Sequence, residues 1–245
     1  MSKLNVDTIE PEGASTTLTL GASGDTVTIP SGATIDASAG TATGFPGFNK
    51  WTPVTATDAT FDLQSGTTKL IIEVQAAGGA GGASDSGYRI GGNGGSGAYA
   101  KKLLTSMVDT DTLNITIGAA AAAGASGTTT SVASASGTSF TTITCTGGAG
   151  GADSDGTNWG AGGAGGAVPT TGDLNLAGKN GTRLEGYPRL GGVDSQYGRG
   201  GANPTDHAGG GGAATGYGAG GQGGAGNTNA GGAGTPGLVI IWEYK

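Results

Sequence analysis

A chain of 245 residues carries 56 glycines, about 23% against an ordinary usage of about 7%, and only 37 Leu, Ile, Val and Phe, too few for the dense core of a conventional enzyme of this length. Its 11 Lys and Arg against 18 Asp and Glu give a net charge of −7 with no basic cluster larger than Lys101-Lys102, which argues against both disorder and a nucleic-acid partner. One cysteine, Cys145, and one histidine, His207, rule out an internal disulfide and a Cys-rich metal site.

At the start, Lys3-Leu4-Asn5-Val6-Asp7-Thr8 holds no apolar run of the kind a secretory signal needs. The longest strongly apolar run, Leu238 to Trp242, is far short of the about 20 residues of a spanning helix. The expectation is synthesis in the cytoplasm without a signal peptide, and no membrane insertion. Residues 1–45 read as short alternating strands, Thr17-Leu18-Thr19-Leu20, Thr26-Val27-Thr28-Ile29 and Ala33-Thr34-Ile35, separated by Gly-, Ser- and Pro-rich turns. Hairpins this small are marginal alone, so the reading is a stem in which several copies share one narrow core, with a flexible tail as the alternative.

Residues 46–245 form a second unit. Strands are predicted at Ala59–Leu63, Thr68–Gln75, Gly97–Leu104, Thr112–Ile117, Thr128–Val132, Ser139–Cys145 and Gly237–Tyr244. No stretch holds a helical period, and Ala119–Ala123 is too short to count. The fold class is therefore all-β: a short β-stem followed by a sandwich-like domain with almost no α-helix. The remaining glycine has a period. Residues 78–83, 91–96, 147–152, 162–167 and 220–225 are each two Gly-Gly-x triplets, and Gly231-Gly232-Ala233 is a sixth, shorter instance. Three residues per turn is the period of the left-handed polyproline-II helix, which makes no internal hydrogen bonds. Such helices with two bare faces can pack side by side and bond to one another, so a backbone lattice stands in for the missing core. Flexible glycine linkers are the competing reading.

Catalytic chemistry finds little support. The glycines after Leu70–Gln75 are spaced in triplets rather than as a dinucleotide-binding fingerprint. Asp109 with Asp111, and Asp153 with Asp155, sit in turn-like contexts where Asp bonds its own backbone. Cys145 falls in an alternating strand and reads as a core residue. No enzyme activity, cofactor or metal is expected. Arg89, Arg183, Arg189 and Arg199, all the arginines of the chain, fall in the glycine-rich segments, as do Tyr88, Trp159, Tyr187, Tyr197, His207 and Tyr217. Tyr, Trp and Arg set among Gly, Ser and Asn make the composition of a recognition surface, so these ten are the candidate receptor contacts; caps on the ends of the glycine helices are the alternative.

The order of these features resembles a known family. Thr68–Val74, the Gly-Gly-x runs, Gly97-Ala98-Tyr99-Ala100-Lys101-Lys102, Leu113-Asn114-Ile115-Thr116-Ile117-Gly118, Thr144–Gly151 and the closing Gly237–Tyr244 look like the glycine-rich domain at the tip of bacteriophage tail fibres. Ser2–Ile9 with Leu18–Gly21 is similar to the start of marine phage fibres; Ala119–Ala123 departs from the pattern, where glycine is expected. The resemblance implies a virion tail protein that is a homo-oligomer, a homotrimer, attached to other tail proteins through residues 1–45. Its distal domain would bind a host polysaccharide or outer-membrane protein without chemistry. A purely structural tail component and an ice-binding protein are the alternatives.

Overall fold

The computed structural model describes residues 47–87, 89–183, 191–202 and 209–245. All of them belong to the second of two units, which begins at Phe45; the stem expected over residues 1–45 lies outside the described residues. What is described is all-β. Eleven strands, and no α-helix, occur among these residues: β1 (Phe48–Val54), β2 (Asp58–Asp62), β3 (Lys69–Gln75), β4 (Tyr99–Leu104), β5 (Thr112–Thr116), β6 (Thr130–Ser136), β7 (Ile143–Cys145), β8 (Leu174–Leu176), β9 (Tyr197–Arg199), β10 (Thr215–Tyr217) and β11 (Leu238–Tyr244).

Antiparallel pairing builds a five-stranded sheet in the order β1-β11-β3-β4-β8, a four-stranded sheet β2-β5-β6-β7 and the two-stranded ribbon β10-β9. Alternation along β3 sends Leu70, Ile72 and Val74 inward. They meet Leu113 and Ile115 of β5, Val132 of β6, Ile143 and Cys145 of β7, and Val239 and Ile241 of β11 in one buried cluster. Cys145 is fully buried there, and desolvation pushes its thiol up to about 12. The seven strands predicted from alternation are all present, although Ser139–Cys145 is ordered as a strand only over Ile143–Cys145 and the sixth strand is Thr130–Ser136 rather than Thr128–Val132. Four were missed. β1 lacks a clean alternation and contains Pro53, which is tolerated because β1 is an edge strand; β8, β9 and β10 are three residues long and sit among glycines.

The glycine runs bond to one another with the expected period. From residues 76–84, the amides of Ala76, Gly79 and Gly82 donate to the carbonyls of Ala98, Gly95 and Gly92; those of Gly78, Gly81 and Ser84 to Thr235, Gly232 and Asn229; those of Ala77 and Ala80 to Thr128 and Ala125. Successive amides thus leave in three directions, each recurring every third residue, as a three-residue-per-turn helix requires. Residues 90–98 repeat the pattern toward 146–152, 218–224 and 179–182. These two central segments are almost wholly buried, yet what surrounds them is mostly backbone. At Gly94 an added Cβ would stand 2.2 Å from the carbonyl oxygen of Gly79, so only glycine permits that approach. Buried polar side chains also cross the lattice, Asn93 among them: it accepts the Gly223 amide at 2.9 Å and donates to Thr182 Oγ1 at 2.8 Å and to the Gly191 carbonyl at 3.0 Å.

Candidate functional site

Each central glycine segment leaves a strand and its partner returns to one. The chain runs out from β3 over 76–84, turns, and comes back over 90–98 into β4; from β7 it runs out over 146–154 and back over 160–167; from β10 it runs out over 218–225 and back over 229–237 into β11. The turns therefore gather at the end of the lattice away from the strands. Ser154 N–H donates to the Ala83 carbonyl at 3.0 Å, Thr228 N–H to Asp85 at 3.2 Å, and Gly160 N–H to Ile90 at 3.0 Å, tying loops 85–89, 153–159 and 226–228 into one surface.

Short polar side chains fix the conformation of that surface. Asp85 Oδ1 accepts the amides of Gly87 at 2.9 Å and Arg89 at 3.0 Å, and its Oδ2 accepts the Gly156 amide. Arg89 Nη1 donates to the Gly156 carbonyl and stands 3.7 Å from Asp85 Oδ2. The carboxylate of Asp155 takes the amides of Asn158 at 2.7 Å and Thr157 at 3.1 Å; the Asn158 amide first, then the Asn158 side chain and the Thr157 amide, hold this carboxyl below its ordinary range. Asp153 Oδ1 accepts the Ala83 amide at 2.6 Å. Asp85 and Asp155 close Asx-type turns on neighbouring amides, as expected for Asp155 and as Asp111 does with Val108; Asp153 and Asp109 depart from that expectation, because each bonds the amide of a distant segment, Ala83 and Gly66, instead of its own backbone. Half-buried Trp159 packs against Ile90 and Ala225. The result is a set of exposed loops whose amides are closed by their own carboxylates and carbonyls, on which a partly exposed guanidinium and indole stand, with the loops held at both feet by the lattice.

Of the ten candidate contacts, the structure brings Arg89 and Trp159 together on this surface. Arg183 lies exposed at the end of the segment 177–183. Tyr88, Tyr187, Arg189 and His207 lie outside the described residues. Tyr197, Arg199 and Tyr217 are elsewhere, on β9 and β10, where Tyr197 and Tyr217 face each other in register. The Tyr197 hydroxyl donates to the buried carboxylate of Glu73 on β3, and its ring stands 6.1 Å from that of Tyr99. Tyr197 is thus an internal anchor as well as a partly exposed ring.

Glu73 is the polar residue that sequence reasoning missed. Its Oε2 also accepts the Tyr99 hydroxyl at 2.9 Å; its Oε1 accepts Trp242 Nε1 at 3.2 Å and lies 3.3 Å from Lys101 Nζ. Burial works to raise its pKa, but the hydroxyls of Tyr197 and Tyr99 and the Lys101 ammonium outweigh it, so the carboxyl is held below the usual range. Burial, then Glu73 itself, pushes both phenols above their ordinary value. The signal was one acidic residue inside the apolar run Leu70–Val74.

A family model described as a glycine-rich domain matches residues 52–244, from β1 to the end of β11. The chain belongs to the glycine-rich domain family. No curated protein matches the chain. The match takes in both sheets and the whole glycine lattice of the domain, so the far-end loops are part of the glycine-rich domain rather than an addition to it.

Proposed function

We propose that this glycine-rich domain protein is a bacteriophage tail fibre protein, a homotrimeric adhesin joined to the tail through residues 1–45, whose distal domain binds a host polysaccharide or outer-membrane protein without chemistry. The observation that carries the reading is the far-end surface: partly exposed Arg89 and Trp159 on loops that carboxylates and the lattice hold in place. A preorganised surface loses little entropy on binding, and three copies per fibre multiply weak contacts into useful avidity. The resemblance of the strand and glycine order to phage fibre tips supplies the biological setting.

The test is saturable binding of fluorescently labelled full-length chain to candidate host cells, with Arg89→Ala/Asn158→Ala at the far end and Thr55→Ala, on the loop after β1, as comparisons. The expected result is an affinity loss of about tenfold or more for the far-end pair and none for Thr55→Ala. A folded, oligomeric chain that binds no susceptible host would favour the structural tail component instead.

A further inference from the structure

Five large apolar side chains left in solvent share one surface, the outer face of the five-stranded sheet. Phe48 is 59% exposed, Trp51 47%, Leu103 50%, Leu174 48% and Leu176 43%. The register puts them side by side: Phe48 opposite Tyr244, Trp51 opposite Trp242, Trp242 opposite Ile71, Ile71 opposite Leu103, and Leu174 and Leu176 opposite Lys101 and Tyr99. Scattered exposed apolar residues need no explanation, whereas a contiguous row does.

The chemistry of the row narrows what covers it. Its rings cross at 53° to 73°, so they form no flat platform on which a sugar ring could stack. Its central carboxylate, Glu73, already receives Tyr99, Tyr197, Trp242 and Lys101, which leaves it little capacity for the directional bonds a small polar ligand requires. A dry protein surface suits it better. Charge points to the same partner: copies of a chain with net charge −7 repel, but on this face Glu73 is balanced by Lys101. The route of the chain adds the third argument. Residues 1–45, which the sequence reads as a stem shared by several copies, end three residues before Phe48, at most about 11 Å of extended chain. In copies joined through that segment, each Phe48 is tethered within that length of its end.

We propose that the outer face of the five-stranded sheet is where copies of this chain pack together, carrying the association through residues 1–45 into the glycine-rich domain. This rests on the homo-oligomeric reading above. Of three tryptophans, Trp51 and Trp242 are on this face and Trp159 is at the far end, so the full-length chain with Trp159→Phe reports on the face alone. Light scattering gives its molar mass, and acrylamide quenching gives the exposure of the two rings, in this parent and with Leu103→Glu/Leu174→Glu added. Both leucines are half exposed, so the fold tolerates the change.

The expected result is an oligomeric parent with weak quenching, and a rise in the quenching constant of about twofold to threefold when the two carboxylates are added, because a packed interface core excludes solvent. An oligomeric parent whose quenching is the same in both forms overturns the proposal and leaves association to residues 1–45 alone. A parent with the mass of a single 23.1 kDa chain overturns the homo-oligomeric reading itself.

Discussion

Asn93 and Glu73 show how a chain with so few apolar residues disposes of buried polarity. Asn93 is fully buried, and three of its bonds are to Gly223, Thr182 and Gly191, so Asn93→Ala leaves the buried amide of Gly223 without this partner. That costs about 1–3 kcal/mol, and urea unfolding should show a loss of that size for this single truncation. Glu73 acts through its charge. Its carboxyl is held below the reference value of 4.5, so in the unfolded chain the group takes up its proton at higher pH than in the folded one. The stabilisation it gives is complete above that value and is lost as pH falls through the lower folded pKa. Acid unfolding of Glu73→Gln should therefore be less steep below pH 4.5 than that of the parent, and the tryptophan emission that reports Trp242 should shift in the same variant near neutral pH. An unchanged acid transition would remove Glu73 from this role.

At the scale of elements, glycines in the lattice and glycines in its turns answer to different constraints. Gly94 lies within a central segment, where an added methyl would stand 2.2 Å from the Gly79 carbonyl oxygen and 2.6 Å from that of Ala80. Both obstacles are backbone, so Gly94→Ala should fail to give folded protein. Gly156 sits in a far-end turn with φ of +51° and no atom within 4 Å of the added Cβ. Gly156→Ala should fold with a loss of about 1–2 kcal/mol from the left-handed conformation alone. Thermal melts of the two distinguish a lattice position from a turn position. Much of this was legible in the sequence, because the Gly-Gly-x period and the alternation of Thr68–Gln75 and Gly237–Tyr244 are properties of short windows. The pairing was not. Nothing in residues 76–84 says that they bond outward to 92–98 and 229–235, because every glycine run offers the same bare faces, and β8 to β10 exist only by virtue of the neighbours that pair with them.

For the whole molecule, β11 closes the domain. It lies between β1 and β3 in the five-stranded sheet, and Val239 and Ile241 enter the core while Trp242 bonds Glu73. Removing residues 238–245 opens that sheet and exposes the core, so the truncated chain should lose cooperative unfolding altogether. The candidate site was legible to a lesser degree than the fold. Clustering of Arg and aromatic residues in glycine-rich segments picked out Arg89 and Trp159, which do share a surface, but it did not show that Arg89 also ties Gly156 and Asp85 together or that the Tyr197 hydroxyl is committed to Glu73. Composition cannot tell an anchor from a contact; only the topology separates the turns at the end of the lattice from the short ribbon beside the sheet.

A rigid glycine lattice that presents its far-end loops to a host surface leaves a signature in amide hydrogen exchange, measured on the full-length chain alone and with isolated host-cell envelopes. Exchange should be slow across residues 76–84 and 90–98 in the free chain, with new protection on adding envelopes confined to the far-end loops, 85–89 and 153–159 among them. Rapid exchange through the central segments, or new protection on the strands with none in those loops, would contradict that arrangement.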